Sequence, residues 1–192
     1  MINELGEDAV KRILSNFSCP LNKDVEEFLR LKAIEFARQG YAATHLLFTS
    51  YQSHNVLIGY FSLSIKSFTV KAKALKSNTL RKRILKFGTY DDILNQYIIP
   101  APLIAQLSKN FYGGYNKLIT GDELLKIAKD KVKSLQTSIG GKIVYLECED
   151  KIRLTEFYES NGFYNFGKRS LDRKERETLY GDYLIQMLAY LK

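Results

Sequence analysis

Cysteine and histidine are almost missing from this chain: Cys19, Cys148, His45 and His54 are all it has in 192 residues. Neither type sits at the spacing of a metal-ligand cluster or a Cys–His nucleophile pair, so no metal cofactor is expected. The two cysteines lie far apart among apolar neighbours, which fits a reduced, cytoplasmic compartment better than a disulfide. No apolar run approaches the roughly 20 residues that span a bilayer, so no membrane partner is expected. The acidic start, Met1 to Asp8, lacks the apolar centre of a signal peptide. Only three prolines occur, with no Pro- or Ser-rich stretch and no internal repeat. Together these absences predict a single domain over 1–192 with enough length to bury a core.

Acidic residues are also missing from one long interval. Between Glu35 and Asp91 there is no Asp or Glu, while Arg38, Lys66, Lys71, Lys73, Lys76, Arg81, Lys82, Arg83 and Lys86 all fall there. Those nine of the 29 Lys and Arg leave 20 against 21 Asp and Glu elsewhere, so the net charge of +8 belongs to one segment. Such concentration speaks of a partner and says little about fold.

What is present reads as alternating elements. Ile2–Ser15 predicts a short amphipathic helix. Asn22 can cap a second, whose apolar residues Val25, Phe28, Leu29, Ala33, Phe36 and Ala37 recur at helical spacing until Gly40. Residues 44–51 and 56–65 predict strands joined by the turn Gln52 to Asn55. The basic interval 67–99 predicts one or two short helices. Then follow a strand at 103–109, a helix at 121–136 with Leu124, Leu125, Ala128, Val132 and Leu135 inward, and a strand at 142–148. A short helix at 154–161 precedes strands at 164–168 and 183–191. Strands first, then alternation of strand and helix, predict an α/β mixed sheet of about six or seven strands with helices on both faces. A right-handed crossover would join the two central parallel strands.

A strand running through a Gly-bearing turn into a helix is a phosphate-binding arrangement, because the first N–H groups of a helix are unpaired. Here the turn is Asn116, Lys117, Leu118, Ile119, Thr120 and Gly121, with Asp122 opening the helix and Leu124-Leu125 following. The sequence Phe157-Tyr158 then Gly162-Phe163 closes the stretch. Read in that order, residues 100–163 resemble the core of the GCN5-related N-acetyltransferase (GNAT) superfamily, whose pyrophosphate turn has the form Gln/Arg-x-x-Gly-x-Gly/Ala. Gly121 matches its last glycine; Ile119 replaces the first, and Asn116 stands where Arg or Gln is usual. A β-branched residue does not readily take positive φ, so this loop must follow another path, with Gly113-Gly114 supplying the freedom. At the edges, Ile58 to Phe61, Pro100 with Pro102, and Tyr183 to Leu188 resemble further strands of the family. The likeness covers about 20–192 and is thin over 66–99.

The resemblance implies acetyl-coenzyme A as co-substrate and transfer of its acetyl group to a primary amine of a small molecule, a peptide or an aminoacyl-tRNA. It places the pyrophosphate on residues 116–122, with Lys117 to pair a phosphate and Thr120 to donate a hydroxyl. The pantetheine arm would lie along the backbone of Leu107 and Lys109, beside Ser108 and Asn110. It makes Tyr158 the acid that protonates the leaving thiolate, since a tyrosine is protonated at neutral pH. Tyr158 can equally be a packed ring at a sheet edge. The general base stays open: Glu147 and Glu149 share one face of a strand, and either can take a proton or only serve the fold.

The segment 66–99 reads as a basic insertion beside the acceptor site. Arg81, Lys82 and Arg83 can meet nucleic-acid phosphates, and Phe68, Phe87 or Tyr90 can stack on bases, which would suit an amine carried by tRNA as in some toxin members of the superfamily. A solvated helix, or one that docks on an acidic protein, explains the same charges. The competing reading of the whole chain is a non-catalytic GNAT-like module that has lost coenzyme A. A homodimer is common in the family.

Overall fold

The computed structural model describes residues 6–75, 77–173, 175–177, 179 and 181–192. The first predicted helix appears as α1, Glu7–Ser15; its predicted start at 2–5 lies outside the described residues. Asn22 caps α2, Lys23–Glu27, its carboxamide oxygen accepting from Val25 N at 3.2 Å. A π-helical turn, Phe28–Lys32, leads into α3, Ala33–Arg38. β1, Ala43–Tyr51, and β2, His54–Val70, form a hairpin whose turn residues Gln52 and Ser53 both take positive φ.

β2 runs on well past its predicted end. Phe68 and Val70 are buried while Ser67 and Thr69 are exposed, so strand alternation continues into the basic interval. After α4, Asn78–Ile84, the short strand β3, Thr89–Asp91, pairs with the start of β4, Gln96–Lys109. Within the predicted insertion 66–99, residues 66–70, 89–91 and 96–99 are thus strand. Next come α5, Gly121–Ile139, β5, Ile143–Glu149, α6, Ile152–Ser160, β6, Tyr164–Ser170, and β7, Tyr183–Tyr190. The seven-stranded sheet has the order β1-β2-β4-β5-β7-β6, with β3 also on β4. β4 and β5 are parallel, in register at Leu103–Tyr145 and Ile104–Leu146, and the other registered pairs are antiparallel. This is the mixed α/β sheet that the sequence predicts.

The chain groups into two compact units. The first comprises Met1–Leu63 and Gln106–Ala128. Its core is Val10, Leu14, Phe17, Phe28, Leu29 and Tyr60, with Phe17 meeting the Tyr60 ring edge-on at 5.1 Å. The Tyr60 hydroxyl, carried into this core, donates to Val25 O at 2.6 Å, which removes the penalty for burying it. The second comprises Ser64–Ala105 and Lys129–Lys192. Phe68, Ile84, Ile99, Tyr145, Phe166 and Leu188 are the centre of its core.

Along α5 the inward stripe is Leu124, Leu125, Ala128, Val132 and Gln136. Leu135, predicted inward, is 42% exposed. A step of four from Val132 reaches Gln136, and Leu135 is turned about 100° away. Gln136 can be buried because its amide donates to Ile143 O at 2.8 Å.

Candidate functional site

Strand β4 ends at a joint built on Asn110, which is 1% exposed. Its side-chain oxygen accepts from Ser18 N and Tyr112 N, both at 3.0 Å, and its amide donates to Leu57 O at 2.9 Å. Its own N–H bonds Ile58 O at 2.8 Å. Next to it, Gly59 lies so close that an added Cβ would stand 2.9 Å from Ser108 O. The backbone of Leu107 to Lys109, the predicted pantetheine edge, is thus fixed from the β2 side. Ser108 is buried and its hydroxyl donates to Lys109 O, so that hydroxyl serves its own strand.

Beyond the joint, residues Tyr112–Lys117 make short helical turns broken by a kink, where Gly113 and Gly114 take φ of 59° and 75°. These two glycines provide the left-handed backbone that Ile119 does not supply. Ile119 instead turns its side chain inward and is buried, which pins the loop before the helix. Lys117 is exposed and makes no ion pair among the described residues, so it is free to meet an anion. Asn116 is half-buried, and Leu118 and Asp122 are exposed.

Thr120 departs from its expected role. Its hydroxyl donates to Glu123 Oε2 at 2.8 Å and accepts from Glu123 N at 3.1 Å, while its N–H donates to the same carboxylate at 2.8 Å. That is a reciprocal capping box, and it occupies the hydroxyl assigned above to a phosphate. The Thr120 N–H and hydroxyl hold the Glu123 carboxyl below the usual carboxylate range. Gly121 and Asp122 open α5 beside this box.

In the second unit, Tyr158 packs against Phe163 with ring centroids 5.8 Å apart. Among the described residues nothing hydrogen-bonds its hydroxyl, and no described side-chain oxygen or nitrogen is both buried and unpartnered. The hydroxyl therefore reaches accessible surface. Burial of the ring, and next the nearby Cys148, push its acidity down and its pKa up, so the group stays protonated. Burial likewise pushes the Cys148 thiol up to about 12, which keeps it from acting as a nucleophile.

Glu147 is otherwise engaged. Arg169 Nε donates to both of its oxygens, at 3.0 and 2.8 Å, and Gln186 Nε2 adds a bond at 2.9 Å. Arg169 also grips Glu175 with bonds of 2.9 and 2.7 Å. Strand alternation puts Glu147 on the face opposite Cys148, the residue that Tyr158 senses. The two predicted catalytic side chains of this unit are thus not brought together. Glu149 is buried and its carboxylate receives Lys151 Nζ at 2.7 Å.

The basic triplet lies in the last turn of α4. Lys82 and Arg83 are exposed; Arg81 is half-buried and bonds Asn78, and the Arg83 guanidinium sits 5.6 Å from the Tyr190 ring centre. Phe68, predicted to stack on bases, is in the core against Tyr145 and Phe166, because it belongs to β2. Phe87 faces Tyr190, and Tyr90 is partly exposed beside Tyr97. Lys76 lies outside the described residues. Among the described residues, no group of three or more His, Cys, Asp or Glu is placed to hold a metal ion, and no helix is long and apolar enough to cross a membrane.

No family profile matches the chain and no curated protein matches it by sequence. Solved structures do. AtaT complexed with acetyl-methionyl-tRNAfMet superposes with a TM-score of 0.60 at 19% identity, over 90% of this chain and 85% of that one. A Tyr-to-Phe variant of KacT gives 0.62 at 18% identity, over 95% and 91%. A Tyr-to-Phe variant of the AtaT toxin, bound to the C-terminus of the antitoxin AtaR and acetyl-CoA, gives 0.58 at 15% identity, over 92% and 84%. The chain has the GNAT fold.

On this GNAT fold, two groups escaped the reading of the sequence. One is the capping box, written in the chain as Thr120-x-x-Glu123 ahead of an apolar run, a signal that the glycine pattern overshadowed. The other is Asn110. No sequence pattern announces it, since its three side-chain partners come from residues 18, 57 and 112.

Proposed function

We propose that the chain is an acetyl-coenzyme-A-dependent N-acetyltransferase acting on a primary amine. The observation that carries this is the GNAT strand–turn–helix itself: β4, the double-glycine turn, then α5 opening with Gly121 and Asp122. In this reading the pyrophosphate meets the N–H groups of Gly121 and Asp122 and the ammonium of Lys117. The pantetheine arm pairs with backbone at Leu107 and Lys109. Tyr158 gives its proton to the thiolate as the amine attacks the thioester carbon and the C–S bond breaks. Glu147, tied to Arg169, fits a strut better than a base, and the ammonium must lose its proton by another route. The structures of AtaT with acetyl-CoA and with an acetylated Met-tRNA support both the co-substrate and the class of acceptor.

Titration calorimetry with acetyl-coenzyme A tests the proposal directly. Micromolar binding that weakens on Lys117→Ala is expected. No binding would favour the non-catalytic module, to which the anionic Glu123 beside the pyrophosphate position lends some weight.

We further propose that the acceptor amine is carried by tRNA, held through α4. The triple change Arg81→Ala, Lys82→Ala and Arg83→Ala should weaken tRNA binding about tenfold or more at low salt. It should also reduce the slope of log affinity against log salt by about two to three. A slope unchanged by the triple variant would remove α4 from the contact, and a small free amine acetylated at full rate would argue for a different acceptor.

A further inference from the structure

Three tyrosine rings meet on the first unit, and the acetyl-transfer reading leaves all of them unused. Tyr51 ends β1 at the β1–β2 hairpin, and Tyr112 and Tyr115 belong to the turns that follow β4. Tyr115 is the meeting point, its ring centroid 6.1 Å from that of Tyr51 and 6.2 Å from that of Tyr112, both edge-on. The Tyr115 ring presses on Gly113, where an added Cβ would stand 3.0 Å from it, so the turn is shaped to hold this ring. Tyr51 and Tyr112 are 40% and 49% exposed. Among the described residues no hydrogen bond engages any of the three hydroxyls. A tyrosine that serves only the fold is commonly buried with its hydroxyl satisfied by the chain, as Tyr60 is. Tyr51 and Tyr112 are neither.

Charge says what such a surface suits. The rings come from two stretches of chain, 36–90 and 93–121, that hold no Asp or Glu. His54, Lys109 and Lys117 accompany them in sequence, and Lys117 is exposed. Exposed aromatic rings in acid-free, basic chain are the composition that stacks the bases of single-stranded nucleic acid while cations follow its phosphates.

We propose that Tyr51, Tyr112 and Tyr115 form a stacking platform for an unpaired nucleobase of an RNA ligand. The choice of RNA rests on the tRNA acceptor proposed above, and the platform extends that reading. Helix α4 meets phosphates, whereas the tyrosines take a base from an end or a loop. Stacking of this kind reads no sequence, because every base has a π face.

Fluorescence anisotropy of the full chain with a labelled oligoadenylate of about a dozen nucleotides, at low salt, tests it. Tyr51→Ala and Tyr112→Ala should each weaken binding about fivefold or more. Tyr112→Phe keeps the ring and should bind as wild type does, while Tyr112→Leu keeps bulk without a π face and should match the Ala variant. None of these should change the slope of log affinity against log salt, since no phosphate contact is lost, whereas the α4 triple variant lowers it. A blunt RNA duplex has no free base, so the Ala variants should bind it like wild type. Circular-dichroism melts check that folding survives. A wild type that does not bind the oligoadenylate overturns the proposal, as do Ala or Leu variants that bind it undiminished. So does a duplex that loses affinity in step with the single strand. If acetyl-coenzyme A binding falls in the Ala variants and oligoadenylate binding holds, the rings serve the adenine of the cofactor, and the platform falls while the acetyltransferase reading stands. If only the α4 variant loses RNA, the platform falls and the tRNA reading stands.

Discussion

Replacing Tyr158 by Phe is expected to slow acetyl transfer about a hundredfold while leaving acetyl-coenzyme A binding near wild type. General acids contribute about 10²–10⁴-fold, and the low end applies here. The enclosed ring raises the hydroxyl's pKa, so the proton is always present but is given up reluctantly. For the same reason the wild-type rate should show no loss from Tyr158 ionisation up to about pH 10. Single-turnover kinetics with the two proteins separates the step from binding. A Phe variant as fast as wild type would reduce Tyr158 to a packing residue.

The second large effect is structural. Asn110→Ala should destabilise the protein by about 3 kcal/mol, because three backbone groups would lose a buried partner. For a chain of this length that lowers the melting temperature by about 6–12 °C. Asn110→Leu, of similar size, should fare no better, since partners and not volume are lost. Acetyl-coenzyme A binding should weaken as well, because the same side chain anchors Ser18, Leu57 and Tyr112 around the end of β4. Thermal melts with and without ligand check both parts. A melting temperature within a degree or two of wild type would refute the assignment.

Regular elements were legible because periodicity is local. Leu124, Leu125, Ala128 and Val132 repeat at helical spacing, Asn22 marks its helix start, and Gln52-Ser53 fall in the turn predicted between the first two strands. Charge misled where it interrupted a strand. Lys66 read as the start of an insert, although Phe68 and Val70 kept the alternation going into the core. Proline concealed the first half of β4 in the same way. Pro100 and Pro102 lie within β4 between its registered pairs with β3, at Gln96–Ile98, and with β5, at Leu103–Ile104.

Of the candidate site, the loop path was foreseeable: Gly113-Gly114 supplies what Ile119 withholds. The side-chain partners were not. Arg169 and Gln186 reach Glu147 from 22 and 39 residues away, and no short pattern encodes such meetings.

The π-helical turn Phe28–Lys32 has a consequence of its own. Such a turn houses one residue more than a regular turn, and Leu31 spends that place pointing into water. The segment is therefore a place where the gene can lose a codon and keep a continuous helix. Because the wide turn absorbs the extra residue locally, its loss leaves the helix on either side in phase and Ala33 in its apolar niche.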